Sequence, residues 1–351
     1  MNRDILEAIT GALARILAVI RARRVQLASL LRPEDCPADW LPDLVWSQGL
    51  TDQFALRTHI DTEAQWRRMA KLLPGIMREK GQADAYRDIV RAVAAARSCV
   101  YEWRDLVAVP TIYAGVPWTT VDVADNGHWL STVWVEDADG ALDRDAVEDA
   151  IAFVRPDGEG LLLTFVQMVE TWREGLGRWA TAGTVSNADD VLRLGPDAAA
   201  DSTALYSAAA PDPAEWTHAH HYFSLSLVTG TGRYRFHIDG ADYYELRFTA
   251  GAAAGNIVLS RSGSTVATGS HGIYGLLATV EQHVVVSTYP LSSGSLEIRV
   301  HIDSALVITY TDASPHDPGP VRFGVASGTD ALTITQAAVV AGAPETRAIN
   351  Y

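Results

Sequence analysis

The stretch RYRFHIDGADYYELRFT, residues 233–249, alternates apolar and polar side chains on either side of an Asp-Gly pair at 239–240. Asp-Gly between two alternating runs is a strong signal for a tight β-hairpin turn. A period of two indicates strands with one buried and one solvated face. We therefore predict antiparallel strands over 234–238 and 243–249.

Similar alternating runs recur from residue 222 to residue 339, with Gly or Pro turn signals between them. We predict about ten short strands with turns every ~8–12 residues, which is typical of an all-β sandwich. The predicted domain covers residues 201–345 and is an antiparallel β-sandwich of jelly-roll type. The Ala-, Gly- and Asp-rich segment 181–200 is interpreted as a linker.

Residues 107–180 have a mixed pattern. A strand over 129–136 is followed by a helix from Asp145 to Val154, with Glu148 three residues after Asp145, and by an apolar strand over 161–170. The Asp145–Glu148 spacing is typical of a helix N-terminus, and a strand that is apolar on both faces is typical of an internal, parallel strand. Together they favour a β-α-β arrangement. We predict a small central α+β module.

Residues 1–106 are predicted to form an N-terminal helical domain. Apolar residues recur at helical spacing from Ile5 to Ile20, and further helices are predicted over 62–73 and 82–96. A continuous first helix over residues 2–30 would be about 43 Å long, which is typical of a helix that packs along another chain. The predicted fold class is thus multidomain α+β.

The formal net charge is −15. Residues 1–106 have a net charge of +2 and residues 107–351 one of −17. This balance argues against a nucleic-acid partner, and no charge-free run is long enough to insert in a membrane. The two cysteines, Cys36 and Cys99, are too few for a disulfide framework, so we expect synthesis in a cytoplasm.

Two residue clusters could carry chemistry. His218, His220 and His221 offer imidazoles for zinc, but no fourth ligand lies nearby in sequence. Asp239, Asp242 and Glu245 are close in sequence, but residues three apart on a strand point to opposite faces. No catalytic motif is present. We predict no catalytic residues, no metal and no cofactor.

Four blocks in one order carry a family resemblance: RPEDCPADWLPDLVW (32–46), WRR (66–68), EKGQ (79–82) and YEW (101–103). They resemble the phage tail protein I family, whose members are baseplate subunits of tailed phages and contractile injection particles. The family often has Thr where this chain has Gln82, which leaves the local helix cap uncertain.

The resemblance implies a structural baseplate wedge subunit and not an enzyme. It would assemble through its N-terminal helices with other baseplate subunits, among them a larger J-like wedge protein, in a finished phage or phage-tail-like particle. The candidate interface residues are apolar or aromatic: Ile5, Ile9, Leu13, Ile16, Ile20, Trp40, Trp46 and Trp66. Buried aromatic side chains often dominate interface energetics.

The C-terminal part resembles concanavalin-like or laminin-G-like sandwiches, through residues 242–248 and 307–312. This implies an alternative function as a glycan-binding adhesin or receptor-binding tail protein, with a cell-surface glycan as partner, and, less favoured, as a polysaccharide hydrolase. The candidate glycan contacts are Tyr243, Tyr244, Tyr274 and Tyr289. Alternation places Tyr243 and Tyr244 on opposite faces, so at least one belongs to the core.

Overall fold

The structure, a computed structural model, describes residues 31–51, 54–102, 130–155, 160–208, 212–216, 218–250, 254–271, 281–303, 305–326, 328–342 and 346–349, with residues 17, 18 and 21. The helices are α1 (Leu41–Ser47), α2 (Glu63–Arg78), α3 (Ala83–Ala94) and α4 (Arg144–Val154). The strands are β1 (Ser98–Glu102), β2 (Leu130–Glu136), β3 (Gly160–Val166), β4 (Met168–Glu170), β5 (Trp179–Ala182), β6 (Val185–Ala188), β7 (Val191–Leu194), β8 (Ser202–Tyr206), β9 (Ala219–Thr229), β10 (Thr231–Asp239), β11 (Asp242–Thr249), β12 (Ile257–Arg261), β13 (Ser264–Gly269), β14 (Gln282–Pro290), β15 (Leu296–Ile302), β16 (Ala305–Asp312), β17 (Arg322–Val325), β18 (Ala331–Ala341) and β19 (Thr346–Ile349).

The chain forms two compact units. The first consists of Met1–Ala95 with Asp143–Pro156, and the second of Ala96–Leu142 with Asp157–Tyr351. A multidomain α+β fold is therefore confirmed.

The first unit is helical. Thr62 begins α2 with a capping box, because its hydroxyl accepts from the Gln65 N–H and the Gln65 side chain accepts from the Thr62 N–H. Gln82 occupies the N-cap of α3, and its side chain makes no capping hydrogen bond. The helices meet through fully buried apolar side chains: Leu41, Val45, Met69, Leu73, Ile76, Ile89, Val90, Val147, Ile151 and Val154.

The second unit begins with a small sheet in the order β1-β2-β3-β19. Its β2 and β3 are parallel neighbours, and the chain between them contains α4, which is the predicted β-α-β order. The other pairs in this sheet are antiparallel.

The rest of the second unit is an antiparallel sandwich of two large sheets. One sheet has seven strands in the order β13-β12-β11-β10-β17-β8-β5. The other has eight, in the order β16-β15-β14-β9-β18-β7-β6 with β4 added against β18. The predicted jelly-roll-type sandwich is thus confirmed, with β10 and β11 forming the predicted hairpin.

The division along the chain differs from the predicted boundaries of 1–106, 107–180, 181–200 and 201–345. Helix α4 belongs to the helical unit, because it buries its apolar face against α3. Strand β1 lies within the range predicted for the helical domain, and β19 lies after the range predicted for the sandwich. Both are edge strands of the small sheet. The expected linker 181–200 contains β6 and β7 and the end of β5. These strands are only four residues long, too short for an alternating pattern to be recognised within an Ala-, Gly- and Asp-rich segment.

The inner faces of the two large sheets share one aromatic-rich core. Phe223 lies 4.5 Å from Tyr234 and 5.3 Å from Phe323 between ring centroids. The outer face of the eight-stranded sheet is covered by the small sheet, where Trp134 meets Tyr222 edge to face at 4.4 Å. The second unit therefore has three layers of sheet.

A buried carboxylate joins these layers. Glu170, 1% exposed, accepts from the Arg97 guanidinium at 2.6 Å, the Trp172 N–H at 3.0 Å and the Trp179 indole N–H at 3.2 Å. The same arginine reaches Glu174 at 2.9 Å. Because a buried charge needs partners, this network holds the loop after β4 in place.

Candidate functional site

The helical unit presents two exposed tryptophans. Trp40 is 53% exposed and Trp46 is 52% exposed, although Leu41, Leu44 and Val45 in the same segment are buried. Helix α1 thus buries Leu41, Leu44 and Val45 and leaves the indole rings of Trp46 and of its N-cap residue, Trp40, exposed to solvent. Such rings are typical of binding surfaces, because they combine large area with few rotatable bonds.

The other candidate interface residues are placed differently. Trp66 is partly buried on α2, with the Arg57 guanidinium 5.6 Å from its ring centroid. The residues of the predicted first helix, Ile5, Ile9, Leu13, Ile16 and Ile20, lie outside the described residues. Among the described residues of the predicted interface, Trp40 and Trp46, here called the tryptophan pair, are the ones exposed to solvent.

The histidines lie on both faces of β9. His221 points into the sandwich core, where the centroids of Trp216, Tyr234 and Phe236 lie 6.0, 6.1 and 5.9 Å away. Burial, with a smaller effect of neighbouring histidines, holds the pKa of His221 well below its ordinary value. Neither ring nitrogen of His221 has a hydrogen-bond partner among the described residues.

The opposite face of β9 carries His220. Its Nδ1 lies 2.9 Å from the Ser287 hydroxyl, and burial lowers the pKa of His220 to about 3. His218 packs beside it at 5.4 Å. Within the described ranges, no group of three or more His, Cys, Asp or Glu side chains is arranged to hold a metal ion.

The candidate glycan-contact tyrosines differ in exposure, and Tyr243 and Tyr244 lie on opposite faces of β11 as alternation predicts. Tyr244 is fully buried, and its hydroxyl donates to Asp312 at 2.6 Å, so it is a core residue and its assignment as a glycan contact is corrected. Tyr243 and Tyr289 are partly exposed, with an arginine guanidinium 4.3 Å and 4.9 Å from their ring centroids. Tyr274 lies outside the described residues.

The structure places Glu245 apart from Asp239 and Asp242. Asp239 and Asp242 lie directly opposite each other at the β10–β11 turn. Glu245 is buried on the outer face of the seven-stranded sheet, where the Arg235 Nε lies 2.6 Å from its carboxylate. That face also carries Arg233, Arg247 and Arg322. Alternation within the hairpin could have placed the first two of these outward, but sequence reasoning missed the cluster.

No helix within the described residues is both long enough and apolar enough to cross a bilayer.

The chain consists of a helical unit and a three-layer β unit, and among the described residues the most exposed aromatic rings, Trp40 and Trp46, lie on the helical unit. Residues 4–114 match the family model described as phage tail protein (Tail_P2_I). The resemblance carried by the four sequence blocks is therefore confirmed over that part of the chain. The match supports a structural role among the components of a phage tail.

No curated protein sequence matches this chain significantly. Solved structures resemble its β part. The carbohydrate-binding module CBM66 from Bacillus subtilis is 18% identical, covering 45% of this chain and 94% of its own, with a TM-score of 0.35. The Emp46p carbohydrate recognition domain in its potassium-bound form is 9% identical, with coverages of 49% and 92% and a TM-score of 0.39. A prokaryotic β-1,3-1,4-glucanase from a mouse hindgut metagenome is 9% identical, with coverages of 51% and 100% and a TM-score of 0.38.

Proposed function

We propose that the protein is a structural baseplate subunit of a tailed phage or contractile injection particle, and that it assembles through its N-terminal helical unit. The observation that carries the proposal is the tryptophan pair, which lies exposed within the stretch that matches the phage tail family. The partner is a larger wedge-type baseplate subunit. The same family match favours a structural over a catalytic role.

The sandwich would then lie at the particle periphery. Support comes from the charge distribution, because residues 107–351 hold the whole acidic excess and residues 1–106 are nearly neutral. A strongly charged surface favours solvation, whereas a nearly neutral helical part is suited to burial among other chains.

Replacing both rings, as Trp40→Ser with Trp46→Ser, is expected to lower incorporation into particles at least about tenfold, because exposed tryptophans are frequent interface anchors. The free protein should keep its stability within about 1 kcal/mol, since neither ring is part of the core. Complementation of a deletion strain, followed by quantifying the protein in purified particles, measures the effect.

Leu306→Ser is the matched control. Leu306 is 55% exposed on β16 of the sandwich, so this variant removes an exposed apolar side chain that does not belong to the helical unit. Its incorporation should equal that of the wild type. Normal incorporation of the folded double variant would contradict an interface at the tryptophan pair.

Glycan binding by the sandwich is a second candidate function. The observation that favours it is a polar cleft on the outer face of the seven-stranded sheet, lined by side chains from β5, β8, β10 and β17 and from Asp201 just before β8. A glycan array probed with the full-length chain tests it. Specific binding to any saccharide supports this function, and binding to none contradicts it.

A further inference from the structure

The cleft on the outer face of the seven-stranded sheet has a volume of about 260 Å³. Its walls and floor include Asp201, Thr203, Arg233, Arg235, Arg322 and Gly324. Small-molecule sites usually measure roughly 300–1,000 Å³, so the cleft suits a small ligand or one unit of a longer one.

The strand register places arginines directly opposite arginines. Arg233 on β10 faces Arg247 on β11, and Arg235 on β10 faces Arg322 on β17. All four are outward positions on three neighbouring strands. Like charges directly opposite each other destabilise a sheet, so this arrangement costs stability that a purely structural surface would avoid.

Only part of this positive charge is neutralised within the described residues. Glu245 is shared between Arg235 at 2.6 Å and Arg247 at 3.5 Å, and Asp201 lies 3.3 Å from Arg233. Arg322 has no acidic partner among the described residues, and its Nε lacks a hydrogen-bond partner. Burial, and then the charge of Arg235, lower the pKa of Arg322. The cleft is thus a positive site within the strongly acidic part of the chain.

Gly324 keeps the floor of the cleft open. It lies between Arg233 and Thr203 in the register, and a Cβ at this position would lie 3.3 Å from the Thr203 Cγ2. The half-exposed Asp201 carboxylate and the side chain of Thr203 border the same space. These two groups can hydrogen-bond to hydroxyl groups of a ligand.

We propose that this cleft binds one acidic sugar unit, whose carboxylate or phosphate lies between Arg322 and Arg235 while Asp201 and Thr203 contact its hydroxyl groups. Guanidinium groups bind both oxyanions through paired hydrogen bonds. The inference rests on the second candidate function, glycan binding, and adds the charge class of the ligand.

Isothermal titration of the full-length protein with glucuronate, glucose 6-phosphate, glucose and an acidic tetrapeptide tests the proposal. Binding of glucuronate or glucose 6-phosphate at least about tenfold tighter than glucose is expected, and whichever binds tighter identifies the anion. Binding of either should weaken as salt is raised.

Equal binding of glucose would overturn the anionic preference but leave glycan binding intact. Equal binding of the acidic tetrapeptide would overturn the saccharide assignment. If none of the probes binds, the inference fails, and the glycan array then decides separately whether glycan binding fails with it.

The variant Arg322→Gln tests whether the arginines of the cleft form a ligand site or only a structural surface. It should abolish binding of the acidic sugar and raise the melting temperature of the free protein, because it removes one of two opposed arginine pairs. Arg193→Gln, at a half-exposed arginine on β7 of the other sheet, should leave binding unchanged. A fall in melting temperature with Arg322→Gln, or unchanged binding, would contradict the proposal.

Discussion

Lowering the pH from 6.5 to 5 is expected to destabilise the β unit by up to about 1.4 kcal/mol per pH unit for each buried histidine. His220, His221, His237 on β10 and His301 on β15 all contribute, because all four are buried and burial lowers the pKa of each. Burial lowers the pKa of His220 to about 3 and that of His237 to about 4, and holds the pKa of His221 well below its ordinary value.

The sign follows from proton binding. Between the unfolded pKa near 6.5 and the lowered folded values, the unfolded chain binds protons that the folded chain does not. The stability contributed by the neutral histidines is therefore complete above pH 6.5 and is lost as the pH falls toward the folded values. Urea denaturation at several pH values, which gives the free energy of unfolding, measures the slope.

His221→Phe should reduce this slope, because it removes one of the four titrations of buried histidines. At pH 7 it should also stabilise the protein by roughly 1 kcal/mol or more, since His221 lies among aromatic rings and neither of its ring nitrogens has a hydrogen-bond partner in the part of the chain that the structure describes. His221→Gln is the control: it removes the titration but keeps polar atoms in the core. An unchanged slope in both variants would contradict the assignment.

Glu170→Ala is expected to lower the free energy of unfolding of the β unit by about 3–5 kcal/mol. The substitution leaves the Arg97 guanidinium without its buried partner and removes the acceptor of the Trp172 N–H and the Trp179 indole N–H. Urea denaturation followed by tryptophan fluorescence reports the loss.

The chain offers a matched control in Glu174, which contacts the same arginine at 2.9 Å but has a side chain 34% exposed. Glu174→Ala should cost no more than about 1 kcal/mol, as exposed ion pairs do. Glu170→Gln keeps an acceptor and should be intermediate. Similar losses in the two alanine variants would show that burial of the carboxylate is not what matters.

Local patterns account for much of the fold. The hairpin at 233–249 follows from alternation around Asp239-Gly240, and the buried Tyr244 beside the partly exposed Tyr243 follows from the same period of two. The predicted helices over 62–73 and 82–96 correspond to α2 and α3, because apolar residues at helical spacing need a buried face. These features depend on neighbours in sequence.

Other features had no local signal. Strands β6 and β7 were missed in the expected linker because each is only four residues long, and β7 joins the large sheet through β18, which lies far along the chain. Helix α4 is recognisable in sequence, but which core it joins depends on packing. The sequence pattern likewise did not decide whether Trp40 and Trp46 are exposed, since an aromatic residue in or beside a short helix fits a core and an interface equally well.

The sequence by itself determined the helical first part, the alternating strands of the second, the acidic excess and the phage tail resemblance, because each depends on residue type and short-range spacing. Only the tertiary structure decided that Arg322 lies opposite Arg235, that Glu170 is buried with Arg97, and that His221 faces an aromatic core. These neighbours come from distant strands, and their register is set by the packing of whole sheets rather than by local preference.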